Sequence, residues 1–218
     1  MSRILKYLAL GGALLLVLAV AYGAKGYFDA LHDADGLRQR AERLIAAGLG
    51  GSELGPRRLD ILLKVQDPAF AEHAGIDFTT AGAGATTVTQ SLSKRLAFKR
   101  FRPGIGKIRQ TGYALGLERR LDKAQIMALW LDTLEMGRGP KGWMTGFYRA
   151  SDTIFKRPPA ELTEDEFLRL VAVLIAPANY DLRGKDMALD DRVERIKRLV
   201  AARCAPTDHG DVWLEGCR

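Results

Sequence analysis

Val65-Gln66-Asp67-Pro68-Ala69-Phe70-Ala71-Glu72-His73-Ala74-Gly75-Ile76-Asp77 is the stretch on which the reading of this chain turns. A helix leads into it. Between Pro56 and Val65, Leu59, Leu62 and Leu63 fall on one face, and Pro56 sits in the first turn, where a missing N–H matters least. That helix delivers Gln66 and Asp67 at its C-terminal end. Behind the stretch, Phe78 to Ala85 is rich in Gly, Ala and Thr and reads as a loop. Thr86 to Phe98 then reads as a helix opening on threonines, which are good N-caps.

Working outward, Tyr27 to Ala47 is helical by spacing, with Leu37, Ala41, Leu44 and Ile45 as its inward stripe and the glycines from Gly48 as its stop. Lys99 to Lys107 is a basic connection holding Pro103, Gly104 and Gly106. Ile108 to Arg120 and Lys123 to Leu134 form two amphipathic helices with Asp122 as the cap between them. Gly137 to Gly142 reads as a loop. Thr163 caps a helix over 164–175 that stops before Pro177, and a last helix covers 190–203. No stretch alternates as a strand would, so the domain reads as almost entirely α.

The chain has 218 residues, enough for one domain and an anchor, with 33 Lys+Arg against 26 Asp+Glu and a formal charge of +7. A basic balance suits nucleic acid, an anionic membrane or an anionic substrate. The N-terminus separates these. Tyr7 to Ala24 carries no charge, follows Arg3 and Lys6, and is close to the minimum length for crossing a bilayer. Positive charge on the short flank places the N-terminus inside and the rest outside. Residues 1–26 are therefore an anchor or, through Ala19-Val20-Ala21, a cleaved signal. Export argues against a nucleic-acid partner. Cys204 and Cys217 either pair in an exported tail or remain as two free thiols. Without a His cluster they make no zinc site, and no metal or cofactor is expected.

The opening stretch resembles the signature of the peptidoglycan glycosyltransferases (glycosyltransferase family 51), which reads Glu-Asp-x-x-Phe-x-x-His-x-Gly. Asp67, Phe70, His73 and Gly75 are in register, with Gln66 in the place of the catalytic glutamate. The family's Gly-Gly-Ser-Thr-x-Thr-Gln-Gln-Leu-x-Lys is similar to Gly84 to Lys94, matching at Thr87, Thr89, Gln90, Leu92 and Lys94. Its Arg-Lys-x-x-Glu corresponds to Gly106 to Gln110: Lys107 remains, Gly106 replaces the arginine, and Gln110 stands where a second glutamate belongs. Leu129 to Asp132, the Gly137-x-Gly139-x-x-Gly142 loop, and Leu162 to Tyr180 follow in family order.

The resemblance implies a mainly α, lysozyme-like transglycosylase domain over 27–203, behind one transmembrane helix, with 204–218 as a tail. It implies a single-pass protein of the inner membrane with its bulk on the periplasmic side. Its partners would be lipid-linked peptidoglycan precursor or glycan strand, the membrane, and other cell-wall synthesis proteins. The catalytic positions are Gln66, Gln110 and Asp67; the substrate-binding positions are Phe70, His73, Thr87, Gln90, Lys94 and Lys107. Joining sugars requires a base for the attacking hydroxyl, and a carboxamide cannot accept that proton. The cations that would hold a lipid pyrophosphate are better kept. The expectation is a protein that binds precursor with impaired or lost polymerase activity. Two alternatives stay open: an active enzyme using Asp67 as base, and a lysozyme-like glycan-cleaving enzyme.

Overall fold

In the computed structural model, which describes residues 3–218, helix α1 runs unbroken over Arg3–Ala46. No proline interrupts it. The apolar segment and the first domain helix, read from sequence as neighbours, are thus one rod. Its window of mean hydropathy 2.3 is long and apolar enough to cross a membrane, and none of that window is buried by the rest of the chain. The rod ends where Gly48 turns left-handed (φ +72°), letting the Leu49 amide reach back to the Leu44 carbonyl.

Seven more α-helices follow among the described residues: α2 (Pro56–Gln66), α3 (Val88–Ala97), α4 (Ile105–Arg120), α5 (Lys123–Thr133), α6 (Phe147–Phe155), α7 (Glu164–Val173) and α8 (Met187–Val200). The fold is mainly α, as expected. Three helices start with capping boxes, Thr87 with Gln90, Asp122 with Gln125, and Thr163 with Glu166, each satisfying amides that would otherwise be orphaned. Helix α5 buries Ile126 through Leu131 on all sides and is the centre of the core. It packs on α1 and α3, while α4 lies against both of those as well.

Three further features depart from the sequence reading. Helix α4 begins at Ile105, so Gly106 and Lys107 lie in its first turn and not in the basic connection. The segment around Gly137 is not a plain loop: β1 (Glu135–Gly139) and β2 (Gly142–Thr145) pair antiparallel, with a bulge between Glu135 and Arg138. Helix α6 follows directly and was not anticipated. Gly137 sits in the bulge at φ +83°, and a Cβ there would lie 2.5 Å from the Pro177 carbonyl. Only glycine suits both the conformation and the contact.

The α1–α4 seam is set by absent side chains. A Cβ on Gly112 would lie 1.9 Å from the Gly23 carbonyl, and one on Gly26 would lie 2.2 Å from the Arg109 carbonyl. The two helices therefore touch backbone to backbone. Arg109 pairs with Asp29 at 2.7 Å, and the Tyr113 hydroxyl donates to Asp33 at 2.7 Å, fixing the rotation of one helix on the other.

Candidate functional site

Helix α2 ends at Gln66, and Asp67 caps it, its amide donating to the Leu63 carbonyl at 2.8 Å. The two neighbours then part company. Asp67 is fully buried. Its carboxylate accepts from the Val88 amide at 2.8 Å and meets Nε2 of His73 at 2.8 Å. Nδ1 of His73 accepts from the Gly75 amide at 3.0 Å, so Nε2 carries the proton and donates to Asp67. Burial pushes the Asp67 carboxyl above its ordinary value, with the Val88 amide and His73 opposing. Asp67 is a strut joining the end of α2 to the start of α3. No face of it is open in this structure.

Other signature residues turn inward for similar reasons. Phe70 is 4% exposed and lies beneath the Lys123 ammonium, 4.5 Å from its ring centre. Thr87 donates to the Gly75 carbonyl at 2.8 Å and caps α3. Thr89 donates to Glu118 at 2.5 Å, and Lys123 bonds both Glu118 (2.9 Å) and the His73 carbonyl (2.7 Å). Phe70, His73 and Thr87, read as substrate contacts, are framework here, because the loop they belong to has no regular structure of its own to hold it. Glu118, which matches the family's Ala-x-x-Leu-Glu over Ala114 to Glu118, and Lys123 complete that framework.

A second cluster surrounds Gln90, which is 3% exposed. Its amide donates to Thr111 at 3.1 Å, and its carbonyl faces Lys107 Nζ at 3.2 Å. Both ends of the Gln90 side chain are thus used inside the protein rather than offered to a ligand. Gln110, 1% exposed, donates from Nε2 to the Gln90 backbone carbonyl at 2.6 Å, and its Oε1 has no partner among the described residues. That geometry needs an amide: a carboxylate in its place would face a carbonyl oxygen. Gly106 is buried beside Phe101, and a Cβ on it would stand 3.3 Å from that ring.

Lys107 also donates to the Ala85 carbonyl (2.5 Å) and the Thr86 hydroxyl (2.9 Å). Desolvation first, and then nearby Lys94, push its amine down to about 8. Lys94 itself is exposed, 5.7 Å from the Phe101 ring centre.

One hollow is walled by the 84–86 loop, and a second is lined by Lys107, which bonds that loop. In the first, Gln66 lines a cavity of about 340 Å³ together with Gly84, Thr86, Ile175, Arg192 and Val212. The second, an apolar groove of about 650 Å³, runs between α1 and α4, lined by Val20, Tyr27, Ile108, Leu115 and Lys107. Lys107 thus faces the groove while holding the loop that walls the cavity. Of the residues read as catalytic, Gln66 alone lines a hollow; Asp67 and Gln110 are interior. Arg192 was missed because Asp190 to Arg195 looks like a solvated charged run. The helical spacing Leu189, Arg192, Val193, Ile196 does place it on the buried face of α8.

A family model described as transglycosylase matches residues 39–202. The chain belongs to the transglycosylase family. It is similar to a biosynthetic peptidoglycan transglycosylase of Marinomonas sp. (strain MWYL1), 30% identical over 147 residues, 62% of this chain and 64% of that one. A protein of the same description from Thiobacillus denitrificans is 28% identical, over 66% of each chain. Penicillin-binding protein 1A of Aquifex aeolicus is 33% identical over 62% of this chain but only 18% of its own length. The chain thus spans slightly under two thirds of the first two relatives. The transglycosylase match begins inside α1, so the apolar rod and the family domain share one helix.

Proposed function

We propose that this transglycosylase-family chain is a membrane-anchored protein that binds lipid-linked peptidoglycan precursor or glycan, with its own polymerase chemistry weakened or lost. The observation that carries this reading is the lining of the cavity at the end of α2. Its polar side chains are Gln66, Thr86 and Arg192, with no carboxylate among the described residues. An attacking sugar hydroxyl would find hydrogen-bonding partners but no proton acceptor. A positioned base is worth about 10²–10⁴-fold in rate. The apolar groove and Lys107 suit a different task, holding a chain of hydrocarbon and the anionic group attached to it. Helix α1 would seat the domain on the outer surface of the inner membrane, where such a lipid is found.

Polymerisation and binding, measured separately on the full chain in detergent or vesicles with lipid-linked precursor, test this. Binding with glycan output at least a hundredfold below that of an active relative is expected, and Gln66→Glu should recover part of the rate. Gln110→Glu should not help alone, since its carboxylate would confront the Gln90 carbonyl. Long glycan chains made at ordinary speed by the unaltered protein would refute the reading.

A further inference from the structure

The cavity beside Gln66 contains a buried charge that makes no direct ion pair among the described residues. Arg192 on α8 is 3% exposed and lines the cavity wall. Nη2 donates to the Val212 carbonyl at 2.9 Å, while Nε and Nη1 have no partner among the described residues. Burial pushes its guanidinium down to about 10, yet it remains a cation near neutral pH. Asp211 and Glu215 attract it through space without a direct bond, their oxygens being engaged elsewhere. Asp211 accepts the amides of Thr207, Glu215 and Gly216, and Glu215 is paired with Arg195 and Arg218. A buried guanidinium with two idle donor nitrogens is expensive to maintain, and buried charges are ordinarily paired.

The wall facing Arg192 includes Val212 of the C-terminal tail. Cys204 and Cys217 are joined, and the tail between them lies against the loop before α3. The Gly82 amide donates to the Asp208 carbonyl at 2.9 Å and the Gly84 amide to the His209 carbonyl at 2.8 Å. Gly84 is left-handed (φ +66°), and a Cβ there would fall 2.4 Å from Val212. The tail is therefore seated closely enough to act as one side of the cavity.

We propose that this cavity is a binding site for a single carboxylate carried on a sugar or on the peptide attached to it, with Arg192 as its counterion. Gln66 and Thr86 supply neutral donors and acceptors for the hydroxyls and amides of the same ligand. One cation in a cavity of about 340 Å³ fits a monoanion. A diphosphate would call for several cations, and Lys107 lines the groove and not this cavity. This assignment rests on the proposed glycan-binding function and names the chemical group that function would select.

The test uses the full chain in detergent and three soluble probes: N-acetylmuramic acid, its methyl ester, and N-acetylglucosamine. Binding is read by calorimetry and by Trp213 fluorescence, since that residue adjoins Val212. The acid should bind at least tenfold more tightly than either neutral sugar. N-acetylmuramoyl dipeptide, whose carboxylate lies on the peptide, tells whether the sugar or the peptide presents the group. Arg192→Gln should bring the acid and its ester within twofold of each other, and Arg192→Lys should retain part of the preference. Should these variants unfold, Val212→Trp, which fills the cavity from the tail, should abolish binding of the acid in a folded protein. Equal binding of acid and ester, a preference that survives Arg192→Gln, or binding undisturbed by Val212→Trp would overturn the assignment. Lipid-linked precursor and isolated glycan strand are titrated in parallel. If either binds while the acid is not preferred, the Arg192 site falls and the proposed function stands. If neither precursor nor isolated glycan strand binds, the proposed function falls, and the sugar-acid preference still decides the site.

Discussion

Asp67→Ala separates the strut from the base. The substitution strips the acceptor from two donors at once: the Val88 amide at 2.8 Å and the His73 Nε2–H at 2.8 Å. An orphaned buried donor costs about 1–3 kcal/mol. Two of them would cost about 2–6 kcal/mol, less what is regained by no longer burying a carboxyl that burial already disfavours. The net loss is about 2–4 kcal/mol. Asp67→Asn keeps one acceptor oxygen for two donors and should lose roughly half as much. At this chain length each kcal/mol lowers Tm by about 2–4 °C, so Asp67→Ala should melt roughly 4–16 °C below the parent. Thermal and urea unfolding of the detergent-solubilised chain, followed by far-ultraviolet circular dichroism, gives both numbers. An Asp67→Ala protein as stable as its parent to within about 0.5 kcal/mol, yet stripped of a measurable glycan-forming activity, would refute the argument. Asp67 would then be acting on substrate.

Three further outcomes are expected. Gly112→Ala must push apart helices that touch backbone to backbone, since its Cβ would fall 1.9 Å from the Gly23 carbonyl, losing about 1–3 kcal/mol by overpacking; Gly36→Ala on open α1 surface should instead gain up to about 1 kcal/mol, and parallel thermal melts compare them. Lys107 is cationic below about 8, so affinity for lipid-linked precursor should hold at lower pH and fall as pH rises through that value, with Lys94→Met moving the midpoint upward in a binding titration. Replacing Cys204 and Cys217 by Ser frees a loop with a sequence separation of 13, worth roughly 3 kcal/mol in chain entropy, and hydrogen exchange should accelerate at the amides of Gly82 and Gly84.

Elements with strong local signals were legible in the sequence. The threonine and aspartate caps of α3, α5 and α7 appear where the side-chain chemistry places them, because a cap is decided within four residues. The hairpin was not legible: β1 and β2 are short, and Gly137, Gly139 and Gly142 look like turn residues whether or not strands flank them. The role of the signature residues was hidden for another reason. Asp67 is 21 positions from Val88 and Lys123 is 50 from His73, so a motif that looks like a row of ligands is closed upon itself by distant partners. Arg192 is the converse, a residue that its charged neighbours disguise and its helical register reveals.

The continuity of α1 has a mechanical consequence. With its apolar part seated in a bilayer, 44 residues at 1.5 Å each give a stiff stem of roughly 66 Å, of which the hydrocarbon layer takes about 30 Å. The glycine seam welds the remainder to α4, leaving no swivel between lipid and cleft. Height above the membrane and compass bearing are then fixed by helical geometry, and lengthening the stem by one residue below the seam would turn the cleft by about 100°. Anything that enters the cavity must come to its opening, since the opening cannot be swung round to meet it.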